Sequence, residues 1–209
     1  MHYTQRALHL RTHLRVPGRP HGGSRRWGRI QRQWYPVTRA ARDHERETHT
    51  RHTLGETSHF AVREGGQAFF IDHQTPTGQV VSVAGQTGEF APLHCTAHGK
   101  ALLADYDLKD LKALFGRAPL HTYTRTTITS LTRLARTCGR VRADGFALDD
   151  GEYIEEVRCL AAPIRDPQGE IVESVGISSP VTRLHSKRIA PAAAEVVAAA
   201  RAISTSLAG

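Results

Sequence analysis

Apolar residues cluster with strand-forming neighbours in two short β-rich runs, residues 57–63 and 67–73, which are separated by Glu64-Gly65-Gly66. Two such runs around a glycine-bearing link predict a β-hairpin. Residues 79–84 (Gln-Val-Val-Ser-Val-Ala) predict a third strand, and a Gly/Pro-containing loop follows over residues 85–92. The pattern then becomes helical. Thr96 is a good N-cap for a helix running to Ala104, and residues 107–115 repeat apolar side chains at 108, 111, 114 and 115. Residues 130–143 place Leu131, Leu134, Cys138 and Val141 on one face, with Gly145 as the C-terminal stop. Strand-forming runs return at 146–148, 157–164 and 171–178, the last two forming a further hairpin around Asp166-Pro167-Gln168-Gly169. A final Ala-rich helix spans about Ser186–Leu207, with Ile189, Val196, Val197, Ala200 and Ile203 apolar. Strands first and last with helices between predict an α+β fold, an antiparallel sheet packed by helices on one side.

The first quarter of the chain has none of this order. Residues 1–53 hold 12 Arg, no Lys, 3 acidic residues and 7 of the 13 His, and include Pro17-Gly18-Arg19-Pro20. No helical period there outlasts about two turns, so an irregular segment is expected. It reads as an Arg-rich arm touching phosphates, a helical lead-in over 37–52, or a remnant left by truncation or a shifted frame. The expected division is therefore 1–53, irregular, and 54–209, a globular domain.

Charge follows the same division. The net +8 of the chain separates into +9 for residues 1–53 and −1 for 54–209, where 16 basic residues face 17 acidic ones. The globular part thus carries no basic face of nucleic-acid size in its composition. No run reaches the ~18 apolar residues of a membrane span. Cys95, Cys138 and Cys159 are odd in number and widely spaced, which disfavours a disulfide framework or structural zinc and fits a reducing cytoplasm.

Two stretches carry candidate chemistry. Pro92-Leu93-His94-Cys95-Thr96-Ala97-His98-Gly99-Lys100-Ala101 puts a capping residue and free amides at a helix start, where an anion is favoured. Gly145-Phe146-Ala147-Leu148-Asp149-Asp150-Gly151-Glu152 puts two carboxylates on a turn before the strand that contains Cys159. Together they read as two ends of a small-molecule pocket. Read blandly, the first is a capped core helix, the second an exposed turn, and Cys159 an inert thiol among apolar neighbours.

These two stretches resemble the ligand-sensing half of the IclR family of transcriptional regulators, over about residues 54–209. The resemblance implies a GAF/PAS-like fold and a site for a small carboxylate effector. It assigns the helix-opening turn to Ala97 and His98, and the polar lining to Asp149, Cys159, Gly176 and Ser178. An apolar wall is expected from Val80, Val83, Ala91 and Val157. Two departures stand out: Gly176 occupies a position where some family members carry a hydroxyl, and His98 one where a small or apolar residue is common. The resemblance further implies a homodimer or homotetramer that grips operator DNA through paired winged helix-turn-helix units, a motif that residues 1–53 do not spell out.

Rival chemistries fit less well. His94 and His98 are spaced i, i+4 as helical zinc ligands would be, but His94 precedes the cap. No catalytic-cysteine signature surrounds Cys95 or Cys159, and Gly99-Lys100 lacks the glycine and hydroxyl of a phosphate loop. The expectation is a cytoplasmic regulator, not an enzyme, with no cofactor or metal and no catalytic residue. The alternative is a stand-alone small-molecule-binding module without operator binding.

Overall fold

The structure, a computed structural model, describes residues 55–75, 87–116 and 119–208. The expected irregular segment 1–53 and the expected strand at 79–84, with Val80 and Val83, lie outside the described residues.

Strands β1 (Thr57–Glu64) and β2 (Gln67–Gln74) form the hairpin that the two β-rich runs predict, and Gly65 at its link has φ of 61°, a left-handed conformation suited to glycine. β3 (Phe90–Pro92) pairs with β2 where the sequence suggests only loop; three residues are too few for a period to show. Three helices follow: α1 (Ala97–Leu102), α2 (Leu108–Phe115) and α3 (Leu131–Asp144). Each starts where a side chain can accept a first-turn amide: Thr96 from Gly99, Asp107 from Lys109 and Asp110, and Ser130 from Arg133. Gly145 ends α3 at φ 83°, as expected of a C-terminal glycine. β4 (Ala147–Asp150), β5 (Val157–Arg165) and β6 (Ile171–Pro180) precede α4 (Ser186–Leu207).

Among the described residues, the six strands form one antiparallel sheet in the order β3-β2-β1-β6-β5-β4. Successive side chains point to opposite faces, and β5 shows this best. Leu160, Ala162 and Ile164 join Phe60, Val175 and Ile177 in a core covered by Ala192, Ala193, Val196, Ala200 and Ile203 of α4. Ala161 instead packs with Ala147 against Ala97 and Ala101 of α1 and Val141 of α3. Helices therefore cover both faces, not one as the order of elements suggests. The periodicity of α4 and α1 shows only that each has an apolar side; which face receives it is decided by the parity of the strands. Burying each larger α4 side chain contributes roughly 1.5–3 kcal/mol. The α1 face is lined by alanines, so backbone approaches backbone closely there.

Candidate functional site

On the α1 face, register aligns a row of polar groups across four strands. Asp149 pairs with Cys159, Cys159 with Ser178, and Ser178 with Thr57. The Cys159 Sγ and Ser178 Oγ are 3.2 Å apart and hydrogen-bonded, while Asp149, Ser178 and Thr57 are buried. The next row on the same face runs Ala147, Ala161, Gly176, His59 and His73. A third brings Ser174 beside Ala61.

The sequence places Asp149 and Asp150 together on a turn. Instead both belong to β4, and pleating separates them: Asp149 turns inward, while Asp150 faces solvent and accepts from the Arg158 guanidinium at 2.8 Å. The turn begins at Gly151, whose φ is 69°. Asp149 Oδ1 accepts from the Glu152 amide at 2.7 Å. Burial pushes its carboxyl up to about 7, against the downward pull of the Lys100 ammonium and the Glu152 amide.

Lys100, fully buried in α1, donates to the Leu148 carbonyl at 2.5 Å and forms an ion pair with Glu152. The other side of the turn is held by hydroxyls. Thr124 Oγ1 donates to the Gly151 carbonyl at 2.7 Å, and Thr127 Oγ1 to the Glu152 carbonyl at 2.6 Å. A lysine below and threonines above thus fix the turn that orients Asp149.

α1 itself is buried along its whole length. The Thr96 hydroxyl accepts the Gly99 amide at 3.1 Å and donates to the Pro92 carbonyl at 2.7 Å. The Gly99 amide is therefore not open to a ligand, as the sequence suggests it would be. Nor does the small size of Gly99 admit one: a Cβ there would lie 2.3 Å from the Leu93 backbone. Gly176 is likewise accounted for by chain packing, since a Cβ would fall 2.2 Å from the Leu160 carbonyl oxygen.

Three independent similarities bear on this arrangement. Residues 37–205 match the family model described as bacterial transcriptional regulator IclR C-terminal. The chain belongs to this family. It is 33% identical over 153 residues to the HTH-type transcriptional repressor AllR of Klebsiella pneumoniae, covering 73% of this chain and 56% of that protein. Among solved structures, the Agobacterium tumefaciens repressor BlcR superposes with a TM-score of 0.73 at 28% identity, over 88% of this chain and 72% of that one. The C-terminal domain of the Escherichia coli transcriptional regulator KdgR gives 0.70 at 29% identity, over 83% of this chain and 99% of that domain. The chain spans about half the length of the curated relatives it matches. These relatives are transcriptional regulators, not enzymes. The match opens at residue 37, within the stretch that periodicity leaves unassigned. No helix among the described residues is long and apolar enough to cross a membrane.

Within this IclR domain the expected site residues separate into groups. Asp149, Cys159, Gly176 and Ser178 share the α1 face, with Ala97 and His98 on the helix that covers it; Val157 stands on the same side of β5, partly buried. Ala91 is buried on β3, the edge strand opposite β4 in the sheet order. A surface cleft of about 270 Å³ next to β3 is lined by residues that include Leu93, His94, Phe115, Leu120, His121 and Tyr123, and by none of the expected site residues.

The two rival chemistries also separate. His94 Nε2 donates to the His121 carbonyl at 2.9 Å, whereas His98 Nδ1 lies 2.9 Å from Ser174 Oγ, so the two rings serve different partners. Cys95 is completely buried, and burial, reinforced by Asp149 and Glu152, pushes its thiol far up, away from thiolate chemistry. Burial and Asp149 do the same to Cys159.

Sequence reasoning missed Thr57, His59, Lys100, Glu152 and Ser174. Two signals were available. Lys100 is the one charged residue in the apolar run 97–104 before the loop, and polar or small residues occupy alternate positions at Thr57, His59 and Ala61. An inward-facing polar row is invisible when only the apolar half of an alternation is read.

Proposed function

We propose that this chain carries the effector-binding domain of an IclR-type transcriptional regulator, which senses a small organic acid on the α1 face of its sheet. The observation that supports this reading is the row Asp149–Cys159–Ser178–Thr57, in which Asp149, Ser178 and Thr57 are buried and Cys159 is half-buried, flanked by the buried His59 and His98. A core built only for stability gains little from so many inward polar groups, because each must be matched or costs about 1–3 kcal/mol. Ala97, His98, Asp149, Cys159, Gly176, Ser178 and Val157 form the body of the site, with Val80, Val83 and Ala91 as its expected apolar margin.

In this reading residues 54–209 sense, and a cytoplasmic homodimer or homotetramer transmits the signal to a DNA-binding part that grips an operator. The acid controls that grip only through a difference in its affinity for two arrangements of the oligomer. The second reading, a small-molecule-binding module without operator binding, is favoured by the near-neutral charge of residues 54–209.

A thermal-shift screen of two- to four-carbon carboxylic acids on the full chain tests the sensor. An acid at 100 times its Kd stabilises the fold by about 2.7 kcal/mol. Asp149→Ala is expected to remove that shift while the protein still melts cooperatively. A shift that survives the substitution removes Asp149 from the site, and a screen without hits removes the sensor reading. A mobility-shift assay on the promoter of its own gene separates the two readings.

A further inference from the structure

The polar row on the α1 face has a second row directly beside it. Asp150 follows Asp149, Arg158 precedes Cys159, Ser179 follows Ser178 and Glu56 precedes Thr57. Asp150 pairs in register with Arg158, and Arg158 with Ser179. Successive side chains of a strand point to opposite faces, so these three turn away from α1, toward the side that α4 covers.

Both ends of this second row are held to one short segment, residues 183–188, which leads from β6 into α4. Arg158 Nε donates to Asp150 Oδ1 at 2.8 Å, and its Nη1 donates to the Leu184 carbonyl at 2.5 Å. Arg183 grips Glu56 as a fork, Nη2 to Oε2 at 2.6 Å and Nε to Oε1 at 3.1 Å. Arg188, in the first turn of α4, donates to the Arg183 carbonyl at 3.4 Å and lies 4.0 Å from the same carboxylate. The Glu56 and Arg158 side chains are 2% and 14% exposed, so both ties are better shielded than a surface ion pair. Leu184, between them, is buried in the same core cluster as Ala192, Ala193 and Val196 of α4.

A guanidinium fork fixes orientation as well as distance. The strand at one end of the polar row and the start of β1 at the other are thus tied to a single corner, and that corner opens α4. Packed cores move between discrete arrangements rather than deforming smoothly, so a small change in strand spacing is passed on instead of absorbed. We propose that residues 183–188 are the output corner of the domain: a change in the row Asp149–Cys159–Ser178–Thr57 shifts β4 and β1 about β5 and β6, and Arg158 and Arg183 carry that shift to the start of α4. This rests on the sensor reading above and adds the route by which an occupied row is read out. Arg158 and Arg183 are positioning residues, and neither belongs to the polar row.

The test uses the full chain and needs no ligand. Cys159→Ser and Ser178→Ala each alter the hydrogen bond at the centre of the polar row with little change in volume. In NMR spectra of either variant, the Nε–H resonances of Arg158 and Arg183 and the amides of Leu184–Arg188 are expected to move relative to the parent. The same substitutions are then made in a chain carrying Arg158→Lys and Arg183→Lys, which keeps both charges and loses both forks. There the displacement of the Ser186–Arg188 amides is expected to fall at least threefold, whereas a merely structural role for the arginines leaves it unchanged. Where the doubly substituted chain does not fold, Glu56→Gln replaces it and is expected to mute the displacement at Arg183 and Arg188. A corner unmoved by either row substitution, or one that moves equally with and without the forks, overturns the proposal. Neither result touches the sensor reading, which the thermal-shift screen decides separately because it reads the acid and not the corner.

Discussion

The ammonium of Lys100 and the carboxylate of Glu152 meet across the boundary between α1 and the turn that follows β4, both side chains buried. This ion pair ties the covering helix to the strand that carries Asp149. Its geometry explains why a cation is tolerated in an otherwise Ala- and Leu-lined helix: the ammonium is matched by Glu152 and by the Leu148 carbonyl.

Removing one partner is expected to be costly. Lys100→Met leaves Glu152 buried without its cation, at an expected loss of about 3–5 kcal/mol in urea unfolding. The double variant Lys100→Met with Glu152→Gln is expected to be more stable than the single lysine variant, because the uncompensated charge is gone. Additive losses would show that the pair does not act as a unit.

Asp149 is expected to make stability fall as pH rises. Its carboxyl is raised by burial to about 7 from 3.8, so the folded state keeps the proton that the unfolded state has already released. The resulting penalty is small below pH 4, grows through pH 4–7 and is complete above 7. Asp149→Asn removes it. The stability of the variant relative to the parent is therefore expected to improve by roughly 2–3 kcal/mol between pH 5 and pH 8. A constant difference across that range would mean that Asp149 is ionised throughout.

Gly176 has no room for the hydroxyl-bearing side chain of a serine. A Cβ at this position lies 2.2 Å from the Leu160 carbonyl oxygen and 2.8 Å from the Ala161 Cβ, so Gly176→Ser requires β5 and β6 to move apart. The expected cost is about 3 kcal/mol or more in thermal or urea unfolding. A variant as stable as the parent would show that the two strands can separate freely. Gly99→Ala is expected to behave alike, because its Cβ meets the Leu93 backbone rather than a movable side chain.

Much of the architecture was legible in the residues alone. Thr96, Asp107 and Ser130 each cap the helix that follows, and Gly145 ends α3, because these signals act within a few residues of chain. The final helix, Ser186–Leu207, has the expected bounds, since its apolar stripe persists over several turns. The two motifs around Thr96 and Asp149 also carry a resemblance to the family whose model matches residues 37–205.

What remained closed to the sequence depended on partners far along the chain. Whether Asp149 faced inward required the pairing of β4 with β5, since a shift of one residue would have exchanged it with Asp150. The packing role of Gly99 required Leu93, that of Gly176 required Leu160, and the hydrogen bond of His98 Nδ1 required Ser174. Local signals determined which elements form because capping and periodicity are short-range. Only the folded sheet decided which polar groups meet, because register and face are properties of paired strands and not of any single one.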